Sequence, residues 1–589
     1  KKFKDIHFRE GQIPIIANAL SKNDTIGLLP TGSGKSICYQ LAAILQPAVS
    51  FVVCPIKSLM YDQKTDLDKA YFTRTNHVTS NDDGEDKEKI QREFGKGKYF
   101  FIFISPERFQ SKTFRQYIHN VSHQFKFGYA VIDEVHCLSE WGHDFRTSYL
   151  NLSTAINKYC SSFNFIGLTA TASLNVLKDI KIEFDIEEKD VKTPMNFTRK
   201  ELEFIVVDDK NDKRSAIDKI IYSLNKDENV LNSDNLPLKC GIVFTPTVNN
   251  KNGCYPLANY LSEKFSTKVE YFSGSIPKID KKEIMSFHEF ETHKTNVQTS
   301  FKEDNTNLLT ATKAFGMGVN KGNVFYTIHY GIPMSMESLY QEAGRAGRDK
   351  TLFQNTQAKC YILLSKTNEN NDLKKLWEQK TKLSTIKDLL KNINGDINTN
   401  MFLFTKDLGT IEDEFEIIKK LYDSYASPGA KDVQINGAKI NLKKSQAEKA
   451  IYRLKQIGVV SDWTISNFFG GGKFEVDFMD FSDTSIKESL IQTISKYDTE
   501  FVFEDLLTEN KYSLYKKILE KAPSSYSWLD KCILILLQWS YDKFVYNRRQ
   551  SLKNIYEACC KFSDSNLNSL TFKATLENYF KFSEVSFIL

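Results

Sequence analysis

Leu29-Pro30-Thr31-Gly32-Ser33-Gly34-Lys35-Ser36 closes the apolar run Ile26–Leu29 and leads into a helical pattern. Strand, glycine-rich turn and helix in that order are the context in which such a turn cradles phosphate as a P-loop. Glycines let backbone N–H groups close on phosphate oxygens, and a helix N-terminus favours their negative charge. Lys35 is then placed to reach β and γ phosphates, with the Ser36 hydroxyl on Mg²⁺. The strict pattern begins with Gly where this chain has Leu29.

Outward from the turn, further short apolar runs follow at Phe51–Cys54, Phe100–Ile104, Tyr129–Ile132 and Phe165–Leu168. A second set comprises Gly241–Phe244, Val269–Phe272, Asn307–Leu309 and Phe325–His329. Short, continuously apolar strands separated by helix-length segments predict buried parallel sheets. The charged stretch Glu187–Lys200 divides the sets, giving two α/β domains at 1–195 and 196–365. Thr79–Lys98, dense in charge of both signs, and His288–Asn305, polar and without helical or strand periodicity, are expected as solvated surface loops.

Beyond residue 365 helical patterns dominate, in two regions, 366–485 and 486–589. Ser445-Gln446-Ala447-Glu448 reads as a capping box. Behind it Ala447, Ala450, Ile451, Leu454 and Ile457 share a helical face, and Gly458 is a fitting stop. An apolar strand, Val459–Ile465, the turn Gly470-Gly471-Gly472, and the alternating Phe474, Val476 and Phe478 complete the pattern of a winged helix. Duplex DNA binding and a packing role fit such a unit equally. In the aromatic-rich last region, Arg548, Arg549 and Lys553 are expected on a solvated helix face.

Composition sets the outer bounds. The 589 residues allow roughly four domains. Hydrophobic content of 41% and charged content of 26% are those of an ordinary globular chain. A net charge of +5 excludes a uniformly basic surface and leaves room for a local basic groove. The ten cysteines are scattered and contain no C-x-x-C pair, so neither a disulfide framework nor a zinc site is expected. No apolar run is long enough to span a bilayer, and a cytoplasmic setting, nucleoid-associated in a prokaryote, is expected.

Two further motifs give the P-loop its chemistry. Val131-Ile132-Asp133-Glu134-Val135-His136 ends an apolar strand in two acids. Asp133 is placed to hold Mg²⁺ and Glu134 to orient and deprotonate an attacking water, the two roles that phosphoryl transfer to water needs. In Gln341-Glu342-Ala343-Gly344-Arg345-Ala346-Gly347-Arg348, two arginines three residues apart are candidate fingers for charge developing on the γ-phosphate.

With these residues in place, the chain resembles superfamily 2 helicases of the RecQ type over about residues 5–365. Phe8-Arg9-Glu10-Gly11-Gln12 resembles the family's adenine-reading motif. The P-loop is similar to the family's, which also lacks the first Gly. Pro55–Gln63 and Ser105-Pro106-Glu107-Arg108 resemble its strand-tracking segments. The most specific match is the DEAH-like Asp133-Glu134-Val135-His136 running on through Trp141-Gly142-His143-Asp144-Phe145-Arg146. In the family that run senses single-stranded DNA, which implies a coupling role for Trp141, His143, Phe145 and Arg146; aromatic faces stack bases and Arg contacts phosphate. Thr169-Ala170-Thr171 resembles the motif that links hydrolysis to domain movement, and Ala311-Thr312 with Phe315–Val319 resembles the second domain's strand-binding and coupling segment.

The resemblance implies two tandem RecA-like domains binding ATP and Mg²⁺ between them. Arg9 and Gln12 would read the base, Thr31, Gly32, Ser33, Gly34, Lys35 and Ser36 cradle phosphates, and Ser36 and Asp133 hold the metal. Lys35, Asp133, Glu134, Gln341, Arg345 and Arg348 would carry catalysis, and Thr169, Thr171 and Thr312 would join the DNA coupling. The implied activity is ATP-dependent 3′–5′ translocation on single-stranded DNA with unwinding of forked duplexes. Val135, Glu140, Thr147 and Phe272 depart from common family residues, and the family's cysteine zinc module has no counterpart. A translocase that does not unwind, an RNA helicase, and a DNA-binding subunit of a larger complex, with protein partners at the C-terminal region, therefore stay open.

Overall fold

The structure is a computed structural model. It describes residues 7–78, 84–139, 147–160, 162–170, 174–194, 199–231, 238–316, 321–406, 408–467, 471–499, 501–508, 513–521, 523–564 and 569–582. The first sheet contains β1 (Thr25–Leu28), β2 (Val49–Val53), β3 (Thr75–Val78), β4 (Phe101–Ile104), β5 (Phe127–Asp133), β6 (Asn164–Thr169) and β7 (Val191–Lys192). All pairs are parallel, in the order β3-β4-β2-β5-β6-β1-β7. The second contains β8 (Leu202–Asp208), β9 (Cys240–Phe244) and β10 (Val269–Phe272). After a two-stranded hairpin, β11 (Lys278–Ile279) and β12 (Lys282–Glu283), come its β13 (Leu308–Ala311), β14 (Val324–His329) and β15 (Ala358–Leu364). Their order is β10-β13-β9-β14-β15-β8, again parallel throughout.

The inner strands are largely apolar because both of their faces are covered, as parallel sheets require, while the edge strands β3, β7 and β8 carry polar residues. In β1, β2 and β4 every residue is buried. Strand β5 is next to β6, and β6 next to β1, so Asp133, Thr169 and the turn after Leu28 emerge side by side at the carboxyl edge. That edge is where open α/β sheets bind ligands.

Two segments expected as loops contain helices. Gly84–Phe94 is helical, with Phe94 fully buried. Phe287–Lys302 is helical too, opened by a capping box between Ser286 and Glu289. Only Phe290, Val297 and Phe301 of that helix are buried, a stripe too narrow to mark the segment as periodic. The core of the second sheet also runs past residue 365, taking in Leu373, Leu376, Ile386 and Ile397, then Val545, Leu552, Phe572 and Leu576 from the last two helices.

The helix Lys444–Gln456 begins ahead of the expected box. Gln446 Oε1 accepts from the Lys443 N–H at 2.9 Å, while Glu448 is fully buried and accepts from Gln110 of the first domain. With the helix Ile411–Tyr425 and three antiparallel strands, β16 (Val433–Asn436), β17 (Val460–Asn467) and β18 (Lys473–Phe478), it forms one compact core. Of the helix Lys444–Gln456 only Ser445 is exposed. The unit is docked on the first domain through Asp462, which accepts from Arg115 Nη1 (2.9 Å), Asn151 Nδ2 (2.6 Å) and Lys158 Nζ (2.8 Å). Asp462 lies at a register shift in β17, the kind of bulge that re-aims a side chain. Lys455 adds bonds to Asn151 Oδ1 (2.8 Å) and Thr154 Oγ1 (2.6 Å).

The long helix Trp528–Asp564 starts in this unit's core, with Cys532, Ile533 and Leu536, and ends in that of the second sheet. Arg549 was expected on a solvated face. It is buried and donates to the carbonyls of Leu376 (2.5 Å) and Glu378 (2.9 Å), closing the end of a short helix. No described helix is long and apolar enough to cross a membrane.

Candidate active site

The glycine turn has the backbone a phosphate cradle needs. Gly32 and Gly34 have φ of 76° and 81°, values that side-chain-bearing residues rarely adopt. Gly34 caps the helix Lys35–Leu45, so the first N–H groups of that helix face the turn. Leu29 N–H donates to Thr169 O at 3.0 Å and locks the turn to β6. The Ser33 hydroxyl is spent on Pro30 O (2.7 Å).

Across the turn stand the two acids. Lys35 Nζ lies 3.3 Å from Glu134 Oε1. Glu134 has φ 50°, a left-handed conformation that a non-glycine residue keeps only where its surroundings enforce it. Burial pushes the Glu134 carboxyl up, but Lys35, His136 and Arg345 outweigh it and leave it below the usual range. Asp133 goes the other way: burial first, then the Glu134 charge, raise it to about 6 against the pull of Lys35. Its oxygens accept from the Glu134 N–H (3.0 Å) and Gln63 Nε2 (3.3 Å), and Tyr39 OH in turn donates to Gln63 Oε1. His136 Nδ1 lies 2.7 Å from Thr169 Oγ1, so the acidic strand end is wired to β6.

The second domain closes the cleft. A cavity of about 490 Å³ is lined by Arg9, Thr31, Gly32, Gly34, Lys35, Ser36, Asp133 and Glu134 from one side and Arg345 and Arg348 from the other. That size falls within the range of small-molecule sites. Burial, opposed by Glu134 and Glu342, lowers Arg345 to about 10. Burial and the charges of Arg345 and Arg199 take Arg348 well below its ordinary value. Arg345, buried, and Arg348, half-buried, give this side of the cavity a positive lining. The Thr31 hydroxyl is buried there with no hydrogen-bond partner among the described residues.

Other expected residues take less direct places. Gln12 is buried, and its amide donates to Ser33 O (2.8 Å) and Gly34 O (3.1 Å) while accepting from Arg9 N–H (2.8 Å). Arg9 Nη1 donates to Gly32 O. Gln341 is buried on the helix Met336–Ala343 and does not line the cavity. Thr169 is fully buried, and Thr312 follows β13 with its N–H on Phe272 O (3.0 Å). Trp141, His143, Phe145, Arg146 and Thr171 lie outside the described residues. Two residues escaped the sequence reading: Gln63, read as strand-tracking but bonded to Asp133, and Arg199, bonded to the loop that carries Arg345. Arg199 is one of several charged residues at the end of the dividing stretch Glu187–Lys200, and nothing in the sequence set it apart.

Residues 9–180 match the DEAD/DEAH box helicase family, and residues 224–350 the helicase conserved C-terminal domain. The chain is 32% identical over 361 residues to the ATP-dependent DNA helicase RecQ of Bacillus subtilis, covering 61% of this chain and 54% of that one. It is 30% identical over 343 residues to RecQ of Pasteurella multocida, covering 58% of this chain and 48% of that one. The motor core is that of a RecQ-type superfamily 2 helicase. The chain spans about half the length of these RecQ relatives. Among solved structures, the DEAD-box helicase Mss116 bound to ssRNA and UDP-BeF aligns with 15% identity and a TM-score of 0.47, over 72% of this chain and 83% of that one. The two family matches fall on the two sheets and end at residue 350.

Proposed function

We propose that the protein is a DNA-dependent ATPase that uses the cleft between its two sheets to move along single-stranded DNA in the 3′–5′ sense and to open duplexes ahead of it. The observation that carries this reading is the meeting of Lys35, Asp133 and Glu134 with Arg345 and Arg348 around one cavity. The RecQ relatives are named ATP-dependent DNA helicases.

In this reading Lys35 leaves Glu134 for the β and γ phosphates, and the helix N-terminus behind Gly34 receives their charge. Glu134, held ionised by its cationic neighbours, takes the proton of the attacking water. Ser36 and Asp133 would hold Mg²⁺; a buried carboxylate and a hydroxyl lining one cavity are the oxygen donors a hard cation prefers. The metal supplies charge neutralisation on the phosphate oxygens. Arg345 and Arg348 stabilise the charge that builds on the transferred group. His136, bonded to Thr169, passes the state of the acidic strand end to β6. Base reading by Gln12 requires its amide to exchange a P-loop carbonyl for the base edge.

The test is hydrolysis with and without single-stranded DNA, and with RNA of equal length, followed by unwinding of a forked duplex. Stimulation by DNA and loss of turnover in Glu134→Gln support the reading; hydrolysis indifferent to nucleic acid sinks it. One observation favours translocation without autonomous unwinding as a second reading. The helix Lys444–Gln456, which a winged helix would offer to a duplex groove, is enclosed against the first domain. A chain that hydrolyses ATP on DNA but leaves forks intact fits that alternative.

A further inference from the structure

Arg199 lies at the crossing from the first sheet to the second, just before β8. Its guanidinium donates from Nη1 to Gly344 O (3.0 Å) and Ala346 O (2.9 Å), and from Nη2 to Gly347 O. Its Nε stands 3.5 Å from Glu201. Three carbonyls of one short loop thus converge on one planar cation. That loop carries Arg345, and Arg348 follows it, with its own Nε donating to the same Gly344 O at 3.2 Å.

The other side of the guanidinium meets the P-loop. A Cβ at Gly32 would come within 3.3 Å of Arg199 Nη1, and one at Gly344 within 1.8 Å of Thr31 Oγ1. The loop is therefore pressed against the P-loop with no space for a side chain at Gly344. A guanidinium suits this place because its rigid planar fork satisfies several acceptors at once, which the single ammonium of Lys does not.

We propose that Arg199 is a positioning residue for the hydrolysis reaction. It fixes the backbone of residues 344–347 from the interdomain crossing, so the placement of Arg345 and Arg348 over the phosphates follows the geometry of that crossing. The proposal rests on the ATPase reading of the cleft. Arg199 touches no reacting atom; it acts through the two arginines it aims.

The test compares wild type, Arg199→Ala, Arg199→Lys, Arg345→Ala and the double variant Arg199→Ala/Arg345→Ala. For each, kcat and KM for ATP are measured on single-stranded DNA, with the Kd of a fluorescent non-hydrolysable ATP analogue and the thermal midpoint. Arg199→Ala is expected to lose about 10²-fold in kcat, the cost of misplacing catalytic groups by about an ångström. Its KM and analogue Kd are expected to move by less than about threefold, and the double variant to be no slower than Arg345→Ala, because both changes remove one function. Arg199→Lys is expected to stay nearer the Ala variant than the wild type, and millimolar guanidinium to restore part of the Arg199→Ala rate. The proposal is overturned if folded Arg199→Ala turns over within about twofold of wild type, if the loss is all in KM, or if the two single losses multiply. A wild type that binds the analogue but does not hydrolyse ATP sinks the ATPase reading itself, an outcome distinct from these.

Discussion

Glu134 is held in a left-handed backbone conformation between a lysine that pairs with it and a neighbour, Asp133, that resists ionisation. Adjacent carboxyls pushed in opposite directions divide the labour of acid, base and metal ligand. Replacing Glu134 by Gln removes the base and keeps the shape. Steady-state hydrolysis is expected to fall by about 10²–10⁴-fold, with fluorescent-nucleotide binding retained. Arg345→Ala should cost about 10³–10⁵-fold in kcat if the arginine acts as a finger. The residues behind both predictions were legible because each sits in a contiguous motif whose spacing is dictated by one turn or one strand end. Gln63 and Arg199 were not, because their partners, Asp133 and the 344–347 loop, are brought to them only by the folded sheets.

Most strands buried on both faces were read, the inner strand β15 excepted, and elements held by one thin stripe were read poorly. Strands β1, β2 and β9 announce themselves as apolar runs. Strand β8 mixes Glu203 and Asp208 with its apolar residues at a sheet edge and went unread. The helix Phe287–Lys302 carried a legible sign, Ser286 and Glu289 at capping-box spacing, that its polar faces obscured. Phe301, fully buried there against Phe315, is expected to cost about 3–5 kcal/mol on truncation to Ala, read by urea unfolding. Strand β17 invites a matching test. Asp462→Ala leaves Arg115, 1% exposed, as a buried charge without its carboxylate, and a loss of about 3–5 kcal/mol is expected. Lys455, at the same dock, is lowered to about 8, by burial first and then by Arg115 and Lys496, against the pull of Glu183 and Asp462. Its folded value lies below its unfolded one, so between pH 8 and the ordinary lysine range the unfolded chain holds more protons and stability rises with pH. The difference between wild type and Lys455→Met, followed by denaturant midpoint from pH 7.5 to 10, should grow by up to about 1.4 kcal/mol per pH unit.

At the scale of the whole molecule, the border near residue 365 marks the end of the β/α rhythm and does not bound the packing. Leu373, Ile386, Leu552 and Phe572 belong to the same apolar cluster as the strands of the second sheet. A fragment ending at residue 365 would expose that face, and it is expected to aggregate on expression where the full chain stays monodisperse by light scattering. Away from the cleft the two α/β domains are joined in two places: by the chain crossing near Arg199, and by the helix Trp528–Asp564, whose docked unit grips the first domain while its far end lies in the second. A body fastened to another at two points behaves as a door on two hinges, free to swing about the line between them and unable to slide. At 37 residues the long helix extends about 55 Å, so a swing of about 10° carries its far end through about 10 Å. On the proposed ATPase reading, opening and closing of the cleft is thereby confined to one arc about the line through those two joints.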